Sequence, residues 1–400
     1  MKIDRIEPVS LRFAYPAGQG FWCAGGYCDA RVTTLVEVHT DTGLCGLGSA
    51  YTLPALAHVV VKEQLEPLLR GREADDIESL WNLMYRATRW YGRKGAAMSA
   101  LGAVDTALWD LRGKRLGKPV WELLGGRRST CPAYASALLW QPVESLAAEA
   151  RRHLDRGYVR MKMRLGRDEP YDTAAVAAVR QAIGSKHDLM CDASMRYHPA
   201  LAERIGKYLA TQDVFWLEEP FEPEMLDAYS ALRGRIGVPL AAGENEFGLQ
   251  GFRELIEAKA VEIVQPDVSR AGGISEVWRI AQLAGRAGLR LATHSWSDGL
   301  AVIANAHVVA ASDCGLTVEV DQTGNPLVDD LLDPPLTVRD GQLELGREPG
   351  LGVRLNRTLV DRLRMADPMR LPEGFYSDMV AGAAYLRPAD PYRETDAVRA

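Results

Sequence analysis

The stretch Val214-Phe215-Trp216-Leu217-Glu218-Glu219-Pro220 is a short apolar run that ends on carboxylates and is cut off by proline. The same figure recurs on both sides. Leu189-Met190-Cys191 runs into Asp192 twenty-six residues before Glu218, and Leu240-Ala241-Ala242-Gly243 runs into Glu244 twenty-six residues after it. A strand plus a helix fills that interval. Outward from this centre, the strand candidates are Cys131–Ala137, Val159–Met163, Leu189–Asp192, Val214–Leu217, Pro239–Ala242, Val261–Val264, Arg290–Thr293 and Leu316–Val318. Helical periodicity fills gaps between them at Asp172–Ile183, Pro199–Thr211, Gly248–Ala258 and Ile274–Ala287. Eight strands alternating with helices predict a parallel α/β architecture, and eight suits a closed barrel. An open doubly wound sheet is the runner-up, weakened because no Gly-x-Gly-x-x-Gly follows an early strand.

The flanks read differently. Lys2–Phe13 and Val32–His39 are strand-like, and Asp41-Thr42-Gly43 turns the chain back into Leu44–Ser49 as a hairpin. Pro16–Cys28 between them is rich in Gly and aromatics and reads as a long loop of the kind that forms lids. Residues 54–124 read as helices, with Ala96–Leu116 stopped by Gly-Lys-Pro. The expected division is an α+β capping domain over 1–126, a barrel over 127–324, and a C-terminal segment over 325–400 returning to the cap. The polar tail Leu386–Ala400 is expected to be loose or to form an interface arm.

Composition narrows the function classes. Apolar residues make up 47% and charged residues 25%, a globular balance, and the net charge of −6 argues against a nucleic-acid partner. No apolar stretch reaches the roughly 18 residues a membrane span needs. The opening Met1-Lys2-Ile3-Asp4-Arg5 carries charge where a signal peptide needs an apolar core, so a cytoplasmic protein is expected. None of the six cysteines forms a Cys-x-x-Cys pair, so buried thiols are expected and a zinc or disulfide framework is not.

The residues just past each strand carry the chemistry, because a barrel builds its site at the C-terminal strand ends. Asp192, Glu218 and Glu244 should stand around one point. Three clustered carboxylates repel one another and need a cation, and hard oxygen ligands suit Mg²⁺. The sixth strand leads to Asp267, the seventh to His294 and the eighth to Glu319. Of the seven histidines His294 alone sits at such an end, where Asp267 could bond its ring and raise its basicity. Alternation along the second strand puts Arg160, Lys162 and Arg164 on one face, cations for the acids opposite.

Together these residues resemble the enolase superfamily, specifically its mandelate racemase subgroup. The stretch Ala103-Val104-Asp105-Thr106-Ala107-Leu108-Trp109-Asp110-Leu111-Arg112-Gly113-Lys114, followed by Leu123-Leu124-Gly125-Gly126, is similar to that family's helix and linker into the barrel. The resemblance covers nearly the whole chain and implies a modified (β/α)₇β barrel with an α+β cap built from both termini. It also implies that Asp192, Glu218 and Glu244 ligate Mg²⁺, that Asp267 and His294 form a dyad with His294 as general base, and that Glu319 donates to the substrate carboxylate. Lys162 matches the first lysine of the family's Lys-x-Lys motif. The family's cap loops choose the distal end of the substrate. Trp22, Tyr51 and Trp90, with Phe21, Arg89, Tyr91 and Arg93, are candidate contacts, and Trp296, two residues past His294, is expected to line the pocket. A homo-oligomer, dimer or octamer, is implied as well.

One departure bears on the reaction. Where the family has its second base, this chain has Arg164, in register with Gly166. Arginine stays protonated and is a poor proton acceptor. Two-base racemisation is therefore disfavoured, and a one-face elimination is favoured: dehydration of an acid sugar (aldonate, aldarate or tartrate type) to a 2-keto-3-deoxy acid. A racemase or epimerase using Lys162 and His294 is the alternative, and a silent scaffold protein a further one.

Overall fold

The computed structural model describes residues 1–383, so the expected loose tail Leu386–Ala400 lies outside the described residues. Eight parallel strands close on themselves: Thr130–Ser136, Arg160–Arg164, Asp188–Asp192, Val214–Glu218, Leu240–Ala242, Ile263–Val264, Arg290–Thr293 and Gly315–Asp321, the last pairing back onto the first. Each expected strand is present, shifted by at most three residues at an end. The core of the barrel has two parts. Tyr134, Met190, Trp216, Ala241, Ile263, Ala292 and Leu316 fill the barrel interior. Outward-facing residues such as Met161, Leu189, Leu217 and Val264 pack under the surrounding helices. A filled interior leaves the strand ends as the place for a site.

A three-stranded antiparallel sheet (Ile3–Ala14, Ala30–Thr40, Cys45–Ala50) packs on the helix Ala96–Leu116 to form the cap. Contact is close because two glycines allow it: a Cβ on Gly46 would lie 2.1 Å from the Ala107 carbonyl oxygen, and one on Gly48 1.9 Å from that of Ala103. The helix is buried almost all round, beyond what a one-faced amphipathic pattern predicts, because its other side meets the barrel. There Asp105 accepts from the Ser275 backbone N–H at 2.8 Å and its hydroxyl at 2.6 Å, at the start of the barrel helix Gly273–Arg286. Asp298 caps the helix Gly299–Ala311 and also accepts from Thr33 and Ser49 of the cap sheet, while Arg31 pairs with Asp321 at 3.0 Å.

Two features differ from the sequence expectation. Pro16–Cys28 is not all loop: Phe21–Cys23 and Gly26–Cys28 pair as a short hairpin. The C-terminal segment touches both units. Gln342–Glu344 pairs antiparallel with the first barrel strand, whereas Met365 bonds Ser10 of the cap sheet and Arg357 pairs with Glu37. Among the described residues no helix is long and apolar enough to cross a membrane.

A branched side chain at Gly48 would press on helix backbone, which cannot step aside as a side chain can. Gly48→Val should therefore destabilise the protein by about 1–3 kcal/mol, the usual cost of overpacking. Urea unfolding checks this, and an unchanged midpoint would contradict the packing described.

Candidate active site at the barrel mouth

Strand register brings the site together. Arg164 pairs with Asp192 and Asp192 with Glu218 across three neighbouring strands, so their side chains share one level and one face. Ligand oxygens of Asp192, Glu218 and Glu244 all lie within 4.8 Å of one another. Asp192 Oδ1 accepts from the Ser194 backbone N–H at 2.7 Å, and Glu218 Oε2 from Trp216 Nε1 at 2.9 Å, fixing both carboxylates. Glu244 Oε2 is buried without a hydrogen-bond partner. Burial pushes the Glu244 carboxyl up to about 8, with Glu219 and Glu218 adding to it and His294 and Lys162 opposing. An all-oxygen donor set with an unpartnered oxygen suits a hard divalent cation, Mg²⁺ among them.

The cations face these acids. Lys162 Nζ lies 2.5 Å from Glu218 Oε1, 2.9 Å from Glu319 Oε1 and 3.5 Å from Asp192 Oδ2. Burial and the neighbouring Arg164 work against the charge on Lys162, yet Glu218 and Glu319 outweigh them and its pKa is raised. Burial likewise opposes Arg164, but Glu244 and Glu319 keep it cationic, and its guanidinium contacts Asp192 and sits 4.9 Å over the Trp296 ring. Arg160, on the same strand, is elsewhere: it pairs with Asp188 at 2.8 Å at the opposite end of the barrel.

His294 Nδ1 bonds Asp267 Oδ2 at 2.8 Å. The other Asp267 oxygen accepts from the Ser269 backbone at 2.8 Å, its hydroxyl at 2.7 Å and Asn305 Nδ2 at 3.1 Å, so the dyad is held rigidly. His294 Nε2 points toward Glu244 and Glu319, at 3.7 and 3.8 Å. Burial lowers the imidazole pKa, but Glu244, Glu319 and Asp267 together raise it to about 9. Glu319 behaves as an acceptor here: it takes the Ser295 backbone N–H at 2.9 Å, and although burial opposes ionisation, Lys162, His294 and Arg164 hold its carboxyl well below the usual range. The donor role implied by the resemblance would require a proton that this arrangement disfavours.

These groups open into a cavity of about 230 Å³, lined among others by Arg164, Glu244, His294 and Trp296. Tyr51 is buried and stacks against His294 with ring centroids 6.5 Å apart. The expected contacts Trp22 and Trp90 are not on the lining. Trp22 is 44% exposed on the outer hairpin, and Trp90 is 85% exposed in a separate groove with Arg89, Tyr91 and Arg93. Asn305, Ser377 and Asp378 escaped the sequence reading because they are distant in sequence. The Asp-x-Ser cap at Asp267-Val268-Ser269 was a local signal for Ser269. A second triplet of metal-ligating type, Glu37, His39 and Cys45, lies on the cap sheet, where Arg357 engages Glu37.

The fold and this site define a barrel enzyme with an acidic cluster and an opposed base. Residues 145–359 match the enolase C-terminal domain-like family, and residues 23–125 match the mandelate racemase / muconate lactonizing enzyme N-terminal domain. The chain belongs to the mandelate racemase / muconate lactonizing enzyme family of the enolase superfamily. It is 34% identical over 353 residues to D-galactarolactone cycloisomerase of Agrobacterium fabrum, covering 85% of this chain and 93% of that protein. It is 32% identical to arabinonate dehydratase of Saccharolobus solfataricus, over 79% of this chain and 86% of that one. A crystal structure of a racemase from Streptomyces coelicolor with bound magnesium superimposes with a TM-score of 0.84 at 30% identity, over 91% of this chain and all of that one.

A cation that binds only the folded site stabilises the fold, by about 2.7 kcal/mol at one hundred times its dissociation constant. Added Mg²⁺ should raise the unfolding midpoint of the wild type but not of Glu244→Gln. An equal shift in both would place the cation elsewhere.

Proposed function

We propose that the protein is a Mg²⁺-dependent acid-sugar dehydratase, with Asp192, Glu218 and Glu244 as cation ligands and His294 as the base. The observation that carries this reading is the asymmetry of the site. On one side stands an imidazole whose Nδ1 is tied to Asp267 and whose Nε2 faces the cavity. On the second strand stand Lys162 and Arg164, both held cationic by the surrounding carboxylates. Of the three, His294 has the ordinary pKa nearest neutrality and is the group that a cation on the carboxylates would return to the neutral acceptor form, whereas Arg164 stays charged.

Asp192, Glu218 and Glu244 would hold Mg²⁺, which would offset the charges that raise His294 and supply positive charge where negative charge grows. His294 Nε2 removes the C2 proton, and Asp267 stabilises the imidazolium that forms. Lys162 donates where charge develops on the substrate carboxylate. Arg164 holds a carboxylate or hydroxyl and returns no proton. The C3–O bond then breaks, the imidazolium gives its proton to the leaving hydroxide, and one water departs. The enol ketonises to a 2-keto-3-deoxy acid.

A second reading has support in the relatives. Where the oxygen at C3 belongs to a ring, the same elimination opens the ring and loses no water, which is an isomerisation. Two relatives, D-galactarolactone cycloisomerase and 3,6-anhydro-alpha-L-galactonate cycloisomerase of Streptomyces coelicolor, are named as isomerases of cyclic acid sugars. Product mass separates the two, since dehydration loses water and ring opening does not. Two-base racemisation is disfavoured by Arg164, which stays protonated where a second base would stand.

A screen of acid sugars with Mg²⁺ and semicarbazide detection should yield a keto acid. His294→Asn should lower kcat by about 10²–10⁴, the usual contribution of a positioned base. Arg164→Lys should gain epimerisation at C2, while Arg164→Gln with unchanged kinetics would remove Arg164 from the mechanism.

A further inference from the structure

Beyond the barrel, the C-terminal segment completes the cavity. After the helix Arg357–Leu363 the chain runs along the cap sheet, where Met365 bonds Ser10 and Arg12 Nε donates to Tyr376 Oη at 3.1 Å. Gly374–Phe375 pairs with Val380–Ala381, and the connecting turn carries Ser377 and Asp378 to the cavity wall. The turn is anchored on both sides. Trp296 Nε1 donates to Ser377 Oγ at 2.8 Å, and Phe375 packs so closely on the outer hairpin that a Cβ on Gly25 would lie 2.3 Å from its ring.

Asp378 is the outermost acid of the cavity. Its side chain is 37% exposed, against 14% for Glu244, the other acid on the lining. Among the described lining residues Arg164 is the sole lysine or arginine, and it engages Asp192 deep in the barrel. Arg270 pairs with Asp378 at 3.7 Å, and the two together also line a neighbouring small cavity beside Tyr51. A substrate held at its reacting carboxylate therefore extends toward a carboxylate whose neighbouring cation, Arg270, is already engaged by it. Hydroxyl groups can donate to that carboxylate. A second substrate carboxylate would meet like charge and have to compete with Asp378 for Arg270.

We propose that Asp378 is a specificity-determining residue that accepts hydrogen bonds from hydroxyls at the remote end of the substrate, selecting aldonate-type monoacids over aldarate-type diacids. This rests on the reading of His294 and the acidic cluster above, which fixes the end of the substrate that lies inside.

The test uses five- and six-carbon aldonates paired with aldarates of matching stereochemistry, at saturating Mg²⁺. Binding is read by calorimetry and turnover by keto-acid formation. The best aldonate should bind the wild type about tenfold or more tightly than its matched aldarate, the scale of one unfavourable charge contact near the surface. Asp378→Asn should bring that ratio toward unity through KM with kcat for the aldonate retained, and Asp378→Lys should invert it. A structural role alone would weaken both ligands alike and leave the ratio unmoved. A wild type that prefers the aldarate, or a ratio unchanged in Asp378→Asn, overturns the assignment. If no keto acid forms but the binding ratio still moves, Asp378 stands and the proposed reaction falls. If no aldonate binds at all, both fall.

Discussion

Bringing Asp192, Glu218, Glu244 and Glu319 to one end of a filled barrel concentrates negative charge where water is scarce. Carboxylates so placed must be protonated, paired or bound to a cation. Lys162 spans Glu218, Glu319 and Asp192, and Arg164 reaches Asp192, which accounts for part of that charge. Glu244, with its raised pKa and unpartnered oxygen, marks the remainder. The fixed pairing of the second, third and fourth strands sets this balance, because a one-residue slip there would turn Lys162 and Arg164, Asp192 or Glu218 out of the barrel.

The cap is tied to the same end of the barrel by buried polar contacts. Arg31 lies 4.8 Å over the Trp296 ring, bonds the Trp296 carbonyl and pairs with Asp321 of the eighth strand. Trp296 in turn carries Arg164 against its ring and Ser377 on its indole nitrogen. One indole thus joins the cap sheet, the second strand and the C-terminal turn. Buried pairs of this kind add little net stability but break at high cost when one partner is lost. They therefore suit a contact that sets position, here that of the cavity wall.

Much of this was legible in the sequence because it repeats. The short apolar runs, each leading to a polar residue, place Asp192, Glu218, Glu244, Asp267, His294 and Glu319 at strand ends from the sequence alone. Arg164 stood out against Gly166. The cavity wall was not legible. Trp22 and Trp90 stand out only as aromatics in cap loops, and nothing local says which way a loop side chain turns; both are exposed. Asp378 lies among short irregular segments with no periodicity, and it reaches the mouth only because the chain returns across the cap. Asn305 is thirty-eight residues from the aspartate it orients, a pairing only the fold creates.

The central claim is that one face of the site takes a proton and the other cannot return it. It is tested most directly by running the reaction with Mg²⁺ in D₂O and following both the product and the recovered substrate by NMR. The account predicts a 2-keto-3-deoxy acid carrying solvent deuterium at C3, with unreacted acid sugar retaining its configuration at C2. Recovered substrate inverted at C2, with no keto acid formed, would contradict it and make Lys162 or Arg164 a working base.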